Sequence, residues 1–146
     1  MTSMDDQEFI ERFEACALPA ESFHHQDHVR VVWLYLRRYH VLDTLARFTE
    51  GLRRFADAHG KVNLYHETIT WAYVLLIHER MKRNGAEQSW TDFVEMNADL
   101  FDWKNSVLKG YYRDETLRSD FARRIFVFPD RFSAAAYTEP GAVTTG

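Results

Sequence analysis

The sequence of 146 residues contains a single cysteine, Cys16, so no disulfide can form within the chain. A chain of this length buries roughly 68–70% of its unfolded surface, which is enough to hold a fold without covalent or metal cross-links. A metal ion bound to this chain would therefore serve chemistry rather than folding.

Long apolar runs are also absent. The longest extends from Trp71 to Ile77 and ends at His78, far short of the roughly 18 residues that a membrane-spanning helix needs. The N-terminal sequence MTSMDDQEF begins acidic and contains no apolar stretch of the kind found in signal peptides. These absences predict a cytoplasmic protein with no membrane role.

Positive charge is not in excess, because the formal net charge is −4. This balance argues against nucleic acid as a partner, since phosphate-binding surfaces are strongly basic. We interpret the pairs Arg37-Arg38, Arg53-Arg54 and Arg123-Arg124 as solvated helix faces. Aromatic residues, in contrast, make up 15% of the chain, which predicts a heavily aromatic core and makes a homodimer one expectation.

The spacing of apolar residues predicts an all-α fold. No segment shows sustained apolar/polar alternation with paired turn signals. Helices are predicted over residues 5–15, 25–39, 41–59 and 64–82, after Ser89, and in shorter pieces over 102–109 and 114–124. The fourth helix contains ITWAYVLLI, which is apolar at eight of nine positions and belongs in the middle of a bundle. We predict one compact domain over 1–132, with five to seven helices around the helix at 64–82, and a loosely ordered tail over 133–146.

Two single residues carry further expectations. Gly51 lies inside the third predicted helix, where glycine is costly, so it is expected to mark a close helix crossing. Ser89 and Asp92 have the spacing of a capping box at the start of the fifth helix.

Histidine is concentrated in two segments, SFHHQDHVR and LYHETITWAYVLLI. The first places His24, His25 and His28 at the start of an apolar helix, and the second places His66 and Glu67 at the start of the central helix. At 100° per residue, His66 shares a stripe with Thr70, Tyr73 and Ile77, and Glu67 shares the next stripe with Trp71, Val74 and His78. A carboxylate buried without a partner costs several kcal/mol, so a buried Glu67 must have a partner group opposite it.

Neutral imidazole and carboxylate groups on two neighbouring helices are the ligands of a metal site inside a helical bundle. We therefore predict a divalent transition metal, namely zinc, iron, manganese, nickel or copper. The predicted ligands are His28 and His66, completed by His24, His25 or Glu67. The predicted walls of the substrate pocket are Trp33, Tyr35, Thr70, Trp71 and Tyr73.

Other catalytic patterns are missing. The sequence has no glycine-rich phosphate loop, and HETIT ends in threonine where a zinc protease motif needs its second histidine. A metal-free site remains an alternative, with His66 and Glu67 as a general acid/base pair and Arg30 or Tyr65 holding an anion. A second alternative treats the histidines as buried structural groups of a non-catalytic module that binds a ligand or a protein.

Three segments, FHHQDHVRVVWLYLRRY, GKVNLYHETITWAY and SDFARRIFVFPD, resemble in that order a group of small bacterial helical proteins of unassigned function. The resemblance covers about residues 20 to 130. It implies no activity, and it implies only that the two histidine segments belong to one site. From the residues themselves we predict a small-molecule enzyme with a His/Glu site between the second and fourth helices, as a hydrolase, a lyase or an oxygenase.

Overall fold

Seven α-helices make up most of the computed structural model, which describes residues 5–83 and 87–131. They are α1 Asp6–Glu14, α2 His25–Leu36, α3 Val41–Ala58, α4 Glu67–Arg83, α5 Trp90–Met96, α6 Asp114–Arg118 and α7 Asp120–Arg124. Short 3-10 turns occupy Ala20–Ser22, Val62–Leu64, Ala98–Phe101 and Val107–Gly110. The described residues contain no strand, so the all-α prediction is confirmed. The tail predicted over 133–146 lies outside them.

The bundle is organised around α4, as predicted. This helix packs against α2, α3 and α7, and Val74 and Ile77 on it are fully buried. The apolar segment ITWAYVLLI is nevertheless not enclosed on all sides, because its Leu75 is 40% exposed. Leu75, Glu79 and Lys82 are all exposed and have the i, i+4, i+7 spacing of one helix face, so α4 keeps that face in solvent.

The core is rich in aromatic rings. Phe13 on α1 is fully buried and lies with its ring centroid 5.5, 5.9 and 6.5 Å from those of Phe23, Phe48 and Phe55. Gly51 makes this packing possible, because a Cβ atom at this position would lie 2.7 Å from Cε2 of Phe13. The expected close crossing at Gly51 is confirmed, and its partner is α1.

Side-chain caps set several helix ends. The Asp5 carboxylate accepts from the amide of Glu8 at the start of α1, and the Ser89 hydroxyl accepts from the amide of Asp92 at the start of α5. Gly60, with φ of +66°, follows the end of α3 in the left-handed conformation that favours glycine.

Several predicted boundaries are corrected. Helix α2 ends at Leu36 rather than residue 39, because the chain turns there to reach the cap of α3 at His40. The helix predicted over 114–124 is two helices, since Ser119 leaves the helical conformation and its hydroxyl accepts from the amide of Ala122. The segment 102–109 holds only a 3-10 turn at its end, which begins at the cap Ser106.

The segment after α7 is hydrogen-bonded to the central helix through Thr68. Thr68 is fully buried on α4, and its hydroxyl donates to the carbonyl of Ile125 at 2.8 Å and accepts from the amide of Val127 at 3.1 Å. The hydroxyl of Tyr112 donates to the carbonyl of Val127 from the other side. No helix within the described residues is long and apolar enough to cross a membrane.

Candidate functional site

A cavity of about 530 Å³ lies between α2, α3 and the start of α4. Five histidines line it: His24, His25, His28, His59 and His66. Its apolar wall includes Phe23, Val29, Val32, Phe48, Leu52, Phe55 and Ile77. The two histidine segments of the sequence therefore meet at one cavity, and the segments are brought there by the packing of α2 on α4.

The rim of the cavity is formed by exposed residues, whereas its base is buried and apolar. The exposed lining residues are His24, Lys61, Leu64 and Trp103, of which Leu64 is 75% and Trp103 54% exposed. No aspartate or glutamate is among the described residues that line the cavity. The cavity is thus apolar at its base and carries imidazole and ammonium groups without a carboxylate to balance them.

His28 is the lining histidine with the most unusual environment. Its ring packs against Phe23 at a centroid distance of 4.4 Å and against Phe48 at 6.3 Å. Burial, together with the smaller effects of the nearby His25 and His24, lowers its pKa to about 4. Its ring makes no hydrogen bond to another described residue. At neutral pH, His28 is therefore an uncharged imidazole that can offer one donor and one acceptor to a molecule in the cavity.

His25 is held in place at one nitrogen. Its Nε2 lies 2.7 Å from the carbonyl oxygen of Leu100, to which it donates. Its ring lies edge-on to Tyr73 at 4.7 Å and beside Trp103 at 4.9 Å. Burial lowers the pKa of His25, and the bond to Leu100 opposes this shift only in part.

Both ring nitrogens of His66 are hydrogen-bonded within the protein. Its Nδ1 accepts from the amide of Ile69, which caps the start of α4, and its Nε2 lies 2.7 Å from the carbonyl oxygen of Leu117. Because Nδ1 accepts, the proton must be on Nε2, which donates to Leu117. Neither nitrogen is open for a metal ion or a substrate while these bonds are intact.

Glu67 does not line the cavity. Its carboxylate accepts from the Tyr65 hydroxyl at 2.6 Å, from Trp71 Nε1 at 2.9 Å and from the Arg53 guanidinium. The group that was expected to face the Glu67 carboxylate is thus Arg53 on α3. Tyr65 and Trp71, which are close to Glu67 in the sequence, add two hydrogen bonds. Burial, followed by the bond to Glu67, raises the pKa of Tyr65.

Of the predicted pocket residues, two are on the cavity. Thr70 and Tyr73 line it, although their hydroxyls bond to the carbonyl of His66 and to the hydroxyl of Ser106. Trp71 points to the other side of α4, where its ring stacks on Phe126 at 5.1 Å.

The two remaining predicted pocket residues and the predicted anion-binding residue Arg30 also lie away from the cavity. Trp33 packs against Trp90 at 5.2 Å. The hydroxyl of Tyr35 donates to Glu14 at 2.8 Å. Arg30 pairs with Asp6 at 2.7 Å and so does not hold an anion in the cavity. The register of α2 turns these side chains toward α1 and α5, whereas Tyr73 on α4 faces the cavity.

Three residues that line the cavity were not predicted from the sequence: His59, Lys61 and Trp103. His59 is the C-cap of α3, its Nε2 is buried without a hydrogen-bond partner among the described residues, and its ring lies 4.4 Å from that of Phe55. Helical spacing could have found it, because Phe55 and His59 are four residues apart on one face. Trp103 lies in an irregular segment, for which periodicity gives no signal.

Within the described residues, no group of three or more histidine, cysteine, aspartate or glutamate side chains has an arrangement that could hold a metal ion. His24, His28 and His66 line one cavity, but the carboxylate predicted to complete the set is bound elsewhere. Metal binding stays a prediction. The chain matches no protein-family model, no curated protein and no solved structure.

Proposed function

We propose that the protein binds a small, mostly apolar molecule in the cavity between α2, α3 and α4, and that His28 holds a neutral polar group of this ligand. The observation that carries the proposal is His28, an uncharged imidazole that makes no hydrogen bond to another described residue and packs against the apolar base of the cavity. Ligand pockets commonly measure about 300–1,000 Å³ and combine apolar walls with a few placed polar groups. The cavity, at about 530 Å³, has this size and composition.

The ligand enters past an amphipathic rim. Leu64 and Trp103 expose large apolar surfaces beside Lys61 and His24. Exposed apolar side chains at the opening of a pocket favour contact with an apolar molecule before it is buried. The hydroxyls of Thr70 and Tyr73 at the floor are already bonded, which leaves the imidazoles of His28 and His59 as lining groups that can bond to a hydroxyl or carbonyl. We assign this role to His28, whose ring lies against the apolar side chains of Phe23 and Phe48.

The test compares naphthalene with 2-naphthol, which differ by one hydroxyl, by fluorescence titration of the purified protein. We expect both to bind, and 2-naphthol to bind about 3–10-fold more tightly, as one net hydrogen bond provides. His28→Phe should remove this preference while retaining naphthalene binding. Equal preference in the parent and in His28→Phe would contradict the role of His28.

A matched pair of variants locates the site. Leu52→Trp places an indole in the cavity, whereas Leu42→Trp makes the same change on the same helix at a position that is 67% exposed. We expect Leu52→Trp to weaken naphthalene binding at least about 10-fold and Leu42→Trp to leave it unchanged. Failure of the parent to bind either compound, or full binding by Leu52→Trp, would refute the proposal.

Metal-dependent enzymatic chemistry is the second candidate, and one observation favours it. His24 and His28 are one turn apart on the same cavity, and neutral His28 has the protonation state that a metal ligand needs. Elemental analysis of protein purified without chelator tests it, with His24→Gln, His28→Gln as the variant and His40→Asn as the control. Near-stoichiometric metal in the parent and in the control, but not in the double variant, would support metal-dependent chemistry. A parent protein that stays metal-free after reconstitution would refute it.

A further inference from the structure

A second concave site lies on the other side of Tyr65. It is a groove of about 460 Å³, which is lined by Arg53 and Arg54 of α3 and by Arg123 and Arg124 of α7. Among the described residues, Asp57 is the one acidic side chain that lines it. Two pairs of arginines separated by about 70 residues in the sequence are thus brought to one groove by the packing of α3 and α7 around α4.

The charges of this groove are only partly balanced. Arg53 pairs with Glu67, and Asp120 pairs with Arg123 through Oδ1 and with Arg124 through Oδ2. Arg54 makes no ion pair or side-chain hydrogen bond with another described residue. Four guanidinium groups therefore meet three carboxylates, counting Asp57, in a protein with a net charge of −4.

The ion pairs in the groove leave guanidinium N–H donors available to a ligand. Arg124 contacts Asp120 through Nε at 2.9 Å, so its two terminal nitrogens are not used in that pair. Its side chain is 65% exposed, and that of Arg53 is 55% exposed. Guanidinium groups bind the oxygens of phosphoryl groups in pairs, through parallel N–H donors, which a single point charge cannot do.

We propose that this arginine groove binds a small phosphoryl anion with at least two negative charges, such as a pyrophosphate group. The four arginines line one space of molecular size, and Arg54 has no carboxylate partner within the part of the chain that the structure describes. Tyr65 and Ala56 form a wall common to the groove and to the histidine-lined cavity. The proposal does not depend on the ligand of that cavity, since it rests on different side chains.

The test is a calorimetric titration of the full chain with inorganic pyrophosphate at low ionic strength. The variant is Arg54→Gln, Arg124→Gln. The control is Arg12→Gln, Arg118→Gln, which removes the same charge from two exposed arginines outside the groove. We expect the groove variant to bind at least about 10-fold more weakly than the parent, the control to stay within about 3-fold, and added salt to weaken binding.

Asp57→Asn provides a change in the opposite direction, because it removes a negative charge from the groove wall. It should tighten pyrophosphate binding. Equal losses in the groove and control variants would show a general charge effect and would overturn the proposal, as would a parent that does not bind pyrophosphate. Naphthalene titrations of the same variants are expected to be unchanged, which separates failure at the groove from failure at the cavity.

Discussion

Protonation of His28 should make the protein unstable in mild acid. The ring has a pKa of about 4 in the folded protein and an ordinary value of 6.5 when unfolded. Between these pH values the unfolded chain holds more protons than the folded one, so the free energy of unfolding falls as the pH falls. At about pH 5 the loss due to this single ring is about 2 kcal/mol relative to about pH 7.5.

The variant His28→Phe keeps an aromatic ring beside Phe23 and Phe48 and removes the titrating group. Urea unfolding, followed by tryptophan fluorescence at the two pH values, measures the difference. We expect the parent to lose about 2 kcal/mol more than His28→Phe on acidification. His40→Asn, which removes a histidine at the cap of α3 but keeps a capping oxygen, should lose as much as the parent. An equal loss in His28→Phe and the parent would refute the reasoning.

Three further substitutions test the fold. Gly51→Ala should destabilise the protein by about 1–3 kcal/mol in urea unfolding, because its methyl group overlaps the ring of Phe13, and Phe13→Leu in the same chain should recover part of the loss. Thr68→Val keeps the shape of a fully buried side chain and removes both of its hydrogen bonds; we expect a loss of about 1–3 kcal/mol and faster amide exchange in the segment after α7. Ser89→Ala should cost about 1 kcal/mol by removing the bond to the amide of Asp92, whereas Ser89→Asp should not.

The sequence was sufficient to predict the central helix and one of its faces. The stripe of His66, Thr70, Tyr73 and Ile77 follows from 100° per residue, and all four residues line the cavity. Gly51 could be identified as a crossing because glycine inside a helix has a cost that packing must offset. These predictions depend on periodicity within one helix, which the sequence contains directly.

The partners of the polar groups could not be predicted in the same way. His66 reaches the carbonyl of Leu117, and Glu67 is bound by Arg53 from another helix. Both contacts depend on how distant segments pack, and helical spacing gives no information about that. The predicted His/Glu pair therefore separates into a helix cap and an ion-paired carboxylate, while the ring of His28 remains on the cavity without a hydrogen bond to any residue of 5–83 or 87–131.

The wall formed by Tyr65 and Ala56 has a thermodynamic consequence. Tyr65 contacts both spaces and is bonded to Glu67, which is in turn bonded to Arg53 of the groove. If an anion drew Arg53 away from Glu67, the Tyr65–Glu67 contact that holds this wall would lose its cation, and the affinity of the cavity would change with it. Linkage then requires reciprocity: whatever factor the anion applies to the affinity for the apolar molecule, that molecule applies to the affinity for the anion.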